Sequence, residues 1–93
     1  MIRSFRSKET ERIFRRNRSK KLPGDIQEIA LRKLRMLHHS RTLVDLKVPP
    51  ANRLERLQGE REGRYSIRIN DQWRICFRWE NGDAFDVEIV DYH

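Results

Sequence analysis

The run from Tyr65 to Val90, YSIRINDQWRICFRWENGDAFDVEIV, decides the fold. Its apolar residues fall on odd numbers: Tyr65, Ile67 and Ile69, then Trp73, Ile75, Phe77 and Trp79, then Phe85, Val87 and Ile89. Successive side chains of a strand point to opposite faces, so period two marks strands buried on one side. Asn70-Asp71-Gln72 and Asn81-Gly82-Asp83 interrupt the pattern with turn-forming residues. The stretch therefore predicts antiparallel strands joined by hairpins.

Parity also predicts the register. Cross-strand partners share a face, so two odd-numbered inward sets require paired numbers with an even sum. A two-residue Asn81-Gly82 turn would set Phe77 opposite Asp86. The pattern asks instead for a three-residue loop over Asn81-Gly82-Asp83, which pairs Trp79 with Phe85, Phe77 with Val87 and Ile75 with Ile89. A three-residue loop over Asn70-Asp71-Gln72 pairs Ile69 with Trp73, Ile67 with Ile75 and Tyr65 with Phe77. Trp73 and Trp79 stand at core parity and read as packing residues, not as base-stacking platforms. Upstream, Arg53 to Leu57 alternates weakly, and Gly59 to Gly63 reads as a turn.

The first half has a different period. Ile2 to Phe5 reads as a short extended start. Ser7 is placed to cap a helix with Glu9 and Glu11 in its first turn and arginines at its end, which suits the helix dipole. Lys20-Lys21-Leu22-Pro23-Gly24 breaks the chain. Asp25 then reads as the cap of a second helix whose Ile26, Ile29, Ala30, Leu34 and Leu37 form one apolar stripe. That helix should fade at His38-His39-Ser40, and Leu43, Val44 and Leu46 suit one more turn before Pro49-Pro50. His38 and His39 read as surface residues at a helix end. The expected fold is α+β: a small antiparallel sheet packed on two N-terminal helices, with residues 1–93 as a single domain.

Even-numbered residues face away from the helices. By the predicted register Arg64 lies beside Arg78, Ser66 beside Cys76, and Arg68 beside Arg74. Asp86 relieves the first arginine pair. Arg68 and Arg74 have no acid in their row. Like charges opposite one another destabilise a sheet, whereas guanidinium groups grip phosphate in bidentate fashion. The plain alternative is that both arginines splay into water, where exposed charges cost little. Tyr92 extends this face past Arg74, and the chain ends Asp91-Tyr92-His93, three side chains that can handle protons. Cys76 reads as structural, since nothing places a histidine beside it.

Composition narrows the classes further. Over 93 residues, 21 Lys+Arg against 14 Asp+Glu give a net charge of +7, with 38% charged residues. A pI near 10.3 favours polyanionic partners. The longest apolar runs fall far short of the ~20 residues of a membrane span. The basic N-terminus has no apolar stretch of the kind a signal peptide needs. One cysteine cannot make an internal disulfide. Neither zinc-ligand spacing, nor a Walker loop, nor a dinucleotide fingerprint occurs. A soluble, cytoplasmic protein without metal or cofactor is the expectation.

At the level of whole motifs, Arg53-Leu54-Glu55-Arg56-Leu57-Gln58-Gly59-Glu60-Arg61-Glu62-Gly63 and the run Tyr65 to Phe77 resemble the HigB toxins of bacterial type II toxin–antitoxin systems. So do Asn81-Gly82-Asp83-Ala84, the opening Met1 to Phe5 and the terminal Asp91-Tyr92-His93. The resemblance spans essentially the whole chain. It implies the RelE/ParE fold, an antiparallel sheet with two helices. It also implies a metal-independent endoribonuclease that cuts messenger RNA at the ribosomal decoding site and halts translation. The toxin alone would be monomeric, and a HigA-like helix-turn-helix antitoxin would neutralise it. By position, the resemblance implies catalytic roles for Arg74, Asp91, Tyr92 and His93 and matches Arg61 to a basic residue just before the hairpin; Arg56, Arg68 and Arg78 are further cations expected to bind phosphate or RNA. Some relatives carry a histidine and a lysine before the hairpin, where this chain has Glu55 and Gln58. The general base therefore stays open, because arginine remains protonated.

Two other functions fit the same charge and fold. One is a ParE-like inhibitor of DNA gyrase, since this superfamily hosts both activities and fold does not decide function. The other is a basic nucleic-acid-binding module without catalysis. Neither needs proton-handling groups beside an arginine, and Asp91-Tyr92-His93 therefore favours the nuclease.

Overall fold

Ser7 begins the first helix as expected. Its Oγ accepts a hydrogen bond from Thr10 N at 3.2 Å, which satisfies one of the amides that a helix start leaves without a partner. The structure, a computed structural model, describes residues 1–58 and 63–92. Helix α1 runs Lys8–Phe14, with Glu9 and Glu11 in its first turn. Helix α2 runs Gly24–His39. Its cap is Pro23, without a side-chain hydrogen bond. Asp25 is thus not the cap that the sequence suggested. The Pro23-Gly24 pair starts the helix before it, and the Asp25 carboxylate lies in the first turn, where the dipole favours negative charge. Two 3₁₀ turns follow, Leu43–Lys47 and Pro50–Asn52.

The sheet has strands β1 (Glu55–Arg56), β2 (Arg64–Arg68), β3 (Trp73–Glu80) and β4 (Asp83–Asp91), in the order β1-β2-β3-β4 and antiparallel throughout. The turn expected over Gly59 to Gly63 lies outside the described residues, save Gly63 at φ +81°. The β2–β3 register is the expected one: Tyr65 opposite Phe77, Ile67 opposite Ile75, Arg68 opposite Arg74. Asn70 Oδ1 closes that hairpin by accepting from Gln72 N at 2.9 Å and Trp73 N at 2.8 Å.

The β3–β4 hairpin departs from expectation near its tip. The turn has two residues, Asn81 at φ +50° and Gly82 at φ +82°, the signs that a type I′ turn requires. Trp79 therefore pairs with Ala84 and Arg78 with Phe85, and neither Trp79 with Phe85 nor Phe77 with Asp86 forms a regular pair. The register shifts once, between Cys76 and Arg78, where Asp86 at φ +51° supplies one extra residue. Beyond this bulge the expected pairs return, Ile75 with Ile89 and Arg74 with Val90. Side-chain parity carries from strand to strand only along an unbroken ladder. The chain takes the favoured Asn-Gly turn and moves the odd residue into β4. In consequence Phe85 leaves the inner layer, and the small Ala84 is buried there in its place.

The core lies between the sheet and α2. Ile67, Ile75, Phe77 and Val87 meet Ile26, Ala30, Leu34 and Leu37, all within one cluster and at most 3% exposed. Trp73 and Trp79 pack against it, half-buried. The far edge of β4 is closed by the N-terminal segment. Ala84 N donates to Met1 O, Val87 N to Ser4 O, Asp86 N to Ser4 Oγ and Ile89 N to Thr10 Oγ1, at 2.9–3.1 Å. An edge so covered offers no free donors for pairing with another strand there. His38, expected at the surface, is half-buried. Its Nδ1 accepts from Ile2 N at 3.1 Å and holds the same segment against α2.

Candidate active site

Arg74 is the centre of the face turned away from the helices. It stands on β3 between Arg68 of β2 and Val90 of β4, and it is only 6% exposed. Burying a guanidinium requires partners. Nε donates to Ser66 Oγ at 2.8 Å, and Nη2 donates to Arg53 O at 2.5 Å and Ser66 O at 3.3 Å. Arg53 has a left-handed backbone, φ +43°, at the end of the Pro50–Asn52 turn. A non-glycine residue takes that conformation at a cost, and its carbonyl is held against Arg74.

Asn52 fixes this turn. It is fully buried and donates from Nδ2 to Leu46 O at 3.1 Å, while its Oδ1 accepts from Lys33 Nζ at 2.5 Å. Burial lowers the Lys33 pKa from its ordinary value, and the neighbouring charges of Arg32 and Arg68 add to the effect. Asn52 is not legible from the sequence, since a polar residue after two prolines reads as an ordinary loop.

An open cleft of about 250 Å³ lies over Arg74, lined by Arg53, Glu55, Arg68, Asn70, Asp71 and Tyr92 with it. Tyr92 places its ring 5.5 Å from the Arg74 guanidinium carbon. The end of the chain is held there by Tyr92 N, which donates to Gln72 O at 2.6 Å. Both arginines of the row have acids after all, from outside it. Arg68 pairs with Asp71 of the loop, and Arg74 Nη1 lies 3.8 Å from Glu55 Oε1 on β1. Asp71 is almost fully solvated, so its pair with Arg68 is weak. Three of the expected residues thus share one cleft: Arg68, Arg74 and Tyr92.

The others lie elsewhere. Asp91 pairs with Trp73, which puts it on the helix side of the sheet, where Gln72 Nε2 donates to its Oδ2 at 3.1 Å. Arg56 pairs with Tyr65 and so also belongs to the helix side, whereas its neighbour Glu55 pairs with Ser66 and belongs to the Arg74 side. Arg78 shares the Arg74 face but lies four residues along β3, roughly 13 Å away. Glu80 and Asp86 pair with it, and Phe85 stacks 4.5 Å beneath its guanidinium. Arg61 and His93 lie outside the described residues. Arg53, Glu55, Asn70 and Asp71 line the cleft without having been assigned to it from the sequence, and Glu55 is the one on a strand. Strand parity at Glu55–Arg56 was the signal, but a two-residue strand is too short to show it. Among the described residues, no group of three His, Cys, Asp or Glu side chains is arranged to hold a metal ion, and no helix is long and apolar enough to cross a membrane.

Comparison with known proteins places this geometry. The profile of a HigB-like toxin family, described as the RelE-like toxin of the type II toxin–antitoxin system HigB, matches residues 3–93. The chain is 36% identical over 88 residues to Toxin HigB-1 of Vibrio cholerae, covering 94% of this chain and 93% of that one. It is 30% identical over 93 residues to Endoribonuclease HigB of Proteus vulgaris, covering all of both. In fold it resembles YafQ from E. coli, with a TM-score of 0.60 at 12% identity over 98% of this chain and 91% of that one.

Proposed function

Since the chain belongs to the HigB family of RelE-like toxins of type II toxin–antitoxin systems, we propose that it is a ribosome-dependent endoribonuclease that cuts messenger RNA and inhibits translation in the cytoplasm. Its partners in this reading are the ribosome, the message in the decoding site, and a HigA-like helix-turn-helix antitoxin. The observation that carries the reading is the buried Arg74. Nε and Nη2 are bound to Ser66 and Arg53, the residue lines an open cleft with Tyr92, and Nη1, 3.8 Å from Glu55, is outside those bonds. A guanidinium fixed in this way costs no reorganisation when charge develops on a phosphate.

Cleavage by the neighbouring 2′-hydroxyl needs alignment, charge stabilisation, a proton acceptor and a proton donor. In the proposed site Arg74 and Arg68 hold the phosphate and Tyr92 positions the nucleotide. His93, next in the chain, would act on protons. Arg56 and Arg78, away from the cleft, would add charge along the path of the message. A cleft this open aligns free RNA poorly, and the ribosome would supply the bent, in-line message.

The test is mapping of 5′ ends in a reconstituted translation reaction. The purified protein should cut a ribosome-bound message within the decoding site and leave the same message intact without ribosomes. Intact ribosome-bound message, together with inhibited supercoiling by gyrase, would replace this reading with the ParE-like one.

A further inference from the structure

Two carboxylates line the cleft, and their circumstances differ. Asp71 is paired with Arg68 and its side chain is 99% exposed. Glu55 stands on the edge strand β1, opposite Ser66 and therefore on the Arg74 face. Its Oε1 lies 3.8 Å from Arg74 Nη1, and its side chain is 50% exposed. That distance is too long for a hydrogen bond, so the carboxylate is drawn toward the guanidinium without being capped by it. Among the described residues, Arg74 is its charged partner at that distance. The remaining lining groups are Arg53, Arg68, Arg74, Asn70 and Tyr92. Arginine stays protonated, an amide is no base, and Tyr92 lies with its ring against the Arg74 guanidinium.

Resting on the nuclease reading above, we propose that Glu55 is the general base of the cleft. A phosphate gripped by Arg74 Nη1 would sit beside this carboxylate, which places the adjacent ribose within its reach. Glu55 takes the proton from the 2′-hydroxyl, and the 2′-oxygen forms a bond to phosphorus. The bond from phosphorus to the 5′-oxygen breaks, and that oxygen takes a proton from water. The products are a 2′,3′-cyclic phosphate and a 5′-hydroxyl, and Glu55 returns its proton to water. No electrons change hands and no further reactant is needed. Arg74 has two tasks in this scheme: it holds the phosphate and, through charge, keeps the base turned into the cleft.

Single-turnover cleavage of ribosome-bound message across pH is the test. Among the described residues, the other charged and titratable groups that line the cleft with Glu55 are Arg53, Arg68, Asp71, Arg74 and Tyr92, and all are retained in the variants. Glu55→Gln should melt like wild type, because the side chain is half exposed on a two-residue edge strand. Its cleavage should fall by about 10²–10⁴-fold, the usual contribution of a general base. Glu55→His should recover much of that loss and move the acid limb of the rate profile upward, because an imidazolium is a weaker acid than a carboxylic acid. Two results would overturn the assignment while leaving the nuclease reading intact. One is a Gln variant that cuts at the wild-type rate. The other is a His variant that recovers the rate with an unmoved acid limb, which would make Glu55 a positioning residue. Wild-type protein that cuts no message removes the nuclease reading itself, and this assignment with it.

Discussion

At the scale of single residues, Arg74 would serve stability and the proposed cleavage with one side chain. From the sequence, an outward position on a sheet suggested a removable arginine. In the fold it is buried, and Arg74→Ala would leave the Ser66 hydroxyl and the Arg53 carbonyl without their donor. An unpaired buried group costs about 1–3 kcal/mol, so the alanine variant should lose melting temperature as well as activity. Arg74→Lys is the cleaner probe: it keeps the charge and loses the planar fork. It should cut message about 10²–10³-fold more slowly, the cost of losing one preorganised contact to the transition state. Wild-type rates from a folded lysine variant would refute the phosphate role. His38 makes a second prediction. Its Nδ1 accepts from Ile2 N, which requires the neutral ring. Burial first, then His39 and the N-terminal ammonium, hold its pKa below the ordinary value. The unfolded chain therefore takes up this proton at a higher pH than the native one does. Stability from this group is complete above about pH 6.5 and declines as pH falls below it. The drop in melting temperature between pH 7.5 and pH 5.5 should be smaller in His38→Gln than in wild type. Equal drops would mean that the contact carries no such linkage.

Among the elements, β3 does most to organise the molecule, with Phe77 at its middle. Phe77 is fully buried, with ring centroids of Tyr65 and Trp79 each at 6.2 Å. Phe77→Ala should cost about 3–5 kcal/mol, a large share of the stability of a domain this small, and thermal melting would report it. An unchanged melting point would contradict the packing of the sheet. The strands were legible because three alternating runs leave few ways to bury one face, and the whole β2–β3 hairpin follows from that. Its partner was legible only at its far end. Hydrophobic alternation reports which face a residue takes but not where a ladder skips a step. Phe85 misled because an aromatic ring on an odd number looks like core, whereas here it packs under the Arg78 guanidinium. Arg68, Arg74 and Tyr92 were found together for the same reason that β2 and β3 were. Glu55 was not, since a two-residue strand carries no period.

For the whole molecule, charge is the property that matters beyond the cleft. A net charge of +7 on 93 residues favours docking to RNA with release of counterions. If about four phosphates are contacted, affinity for ribosomes should fall by about 10²-fold between about 50 and 200 mM salt. A flat response, measured by co-sedimentation, would exclude the basic surface as the docking surface. The net charge was legible from composition, but which cations line the cleft was not, because that depends on faces set by pairing. One of those faces hangs on Asp86. The tight turn at Asn81-Gly82, continued without interruption, would carry every later residue of β4 onto the wrong side, with Tyr92 against the helices and Asp91 over Arg74. The surplus residue cancels that error before the chain ends. Counted this way, the tip of the hairpin and the cleft at its far end are bound by a rule of evenness. A lone insertion or deletion between Trp79 and Glu88 swaps the aromatic end of the chain for its acidic neighbour, unless the bulge is gained or lost in the same stroke. Removing Asp86 itself obeys the rule, and removing Asp83 does not. The evolutionary freedom of this loop is therefore measured in pairs of residues, by a site that none of them touches.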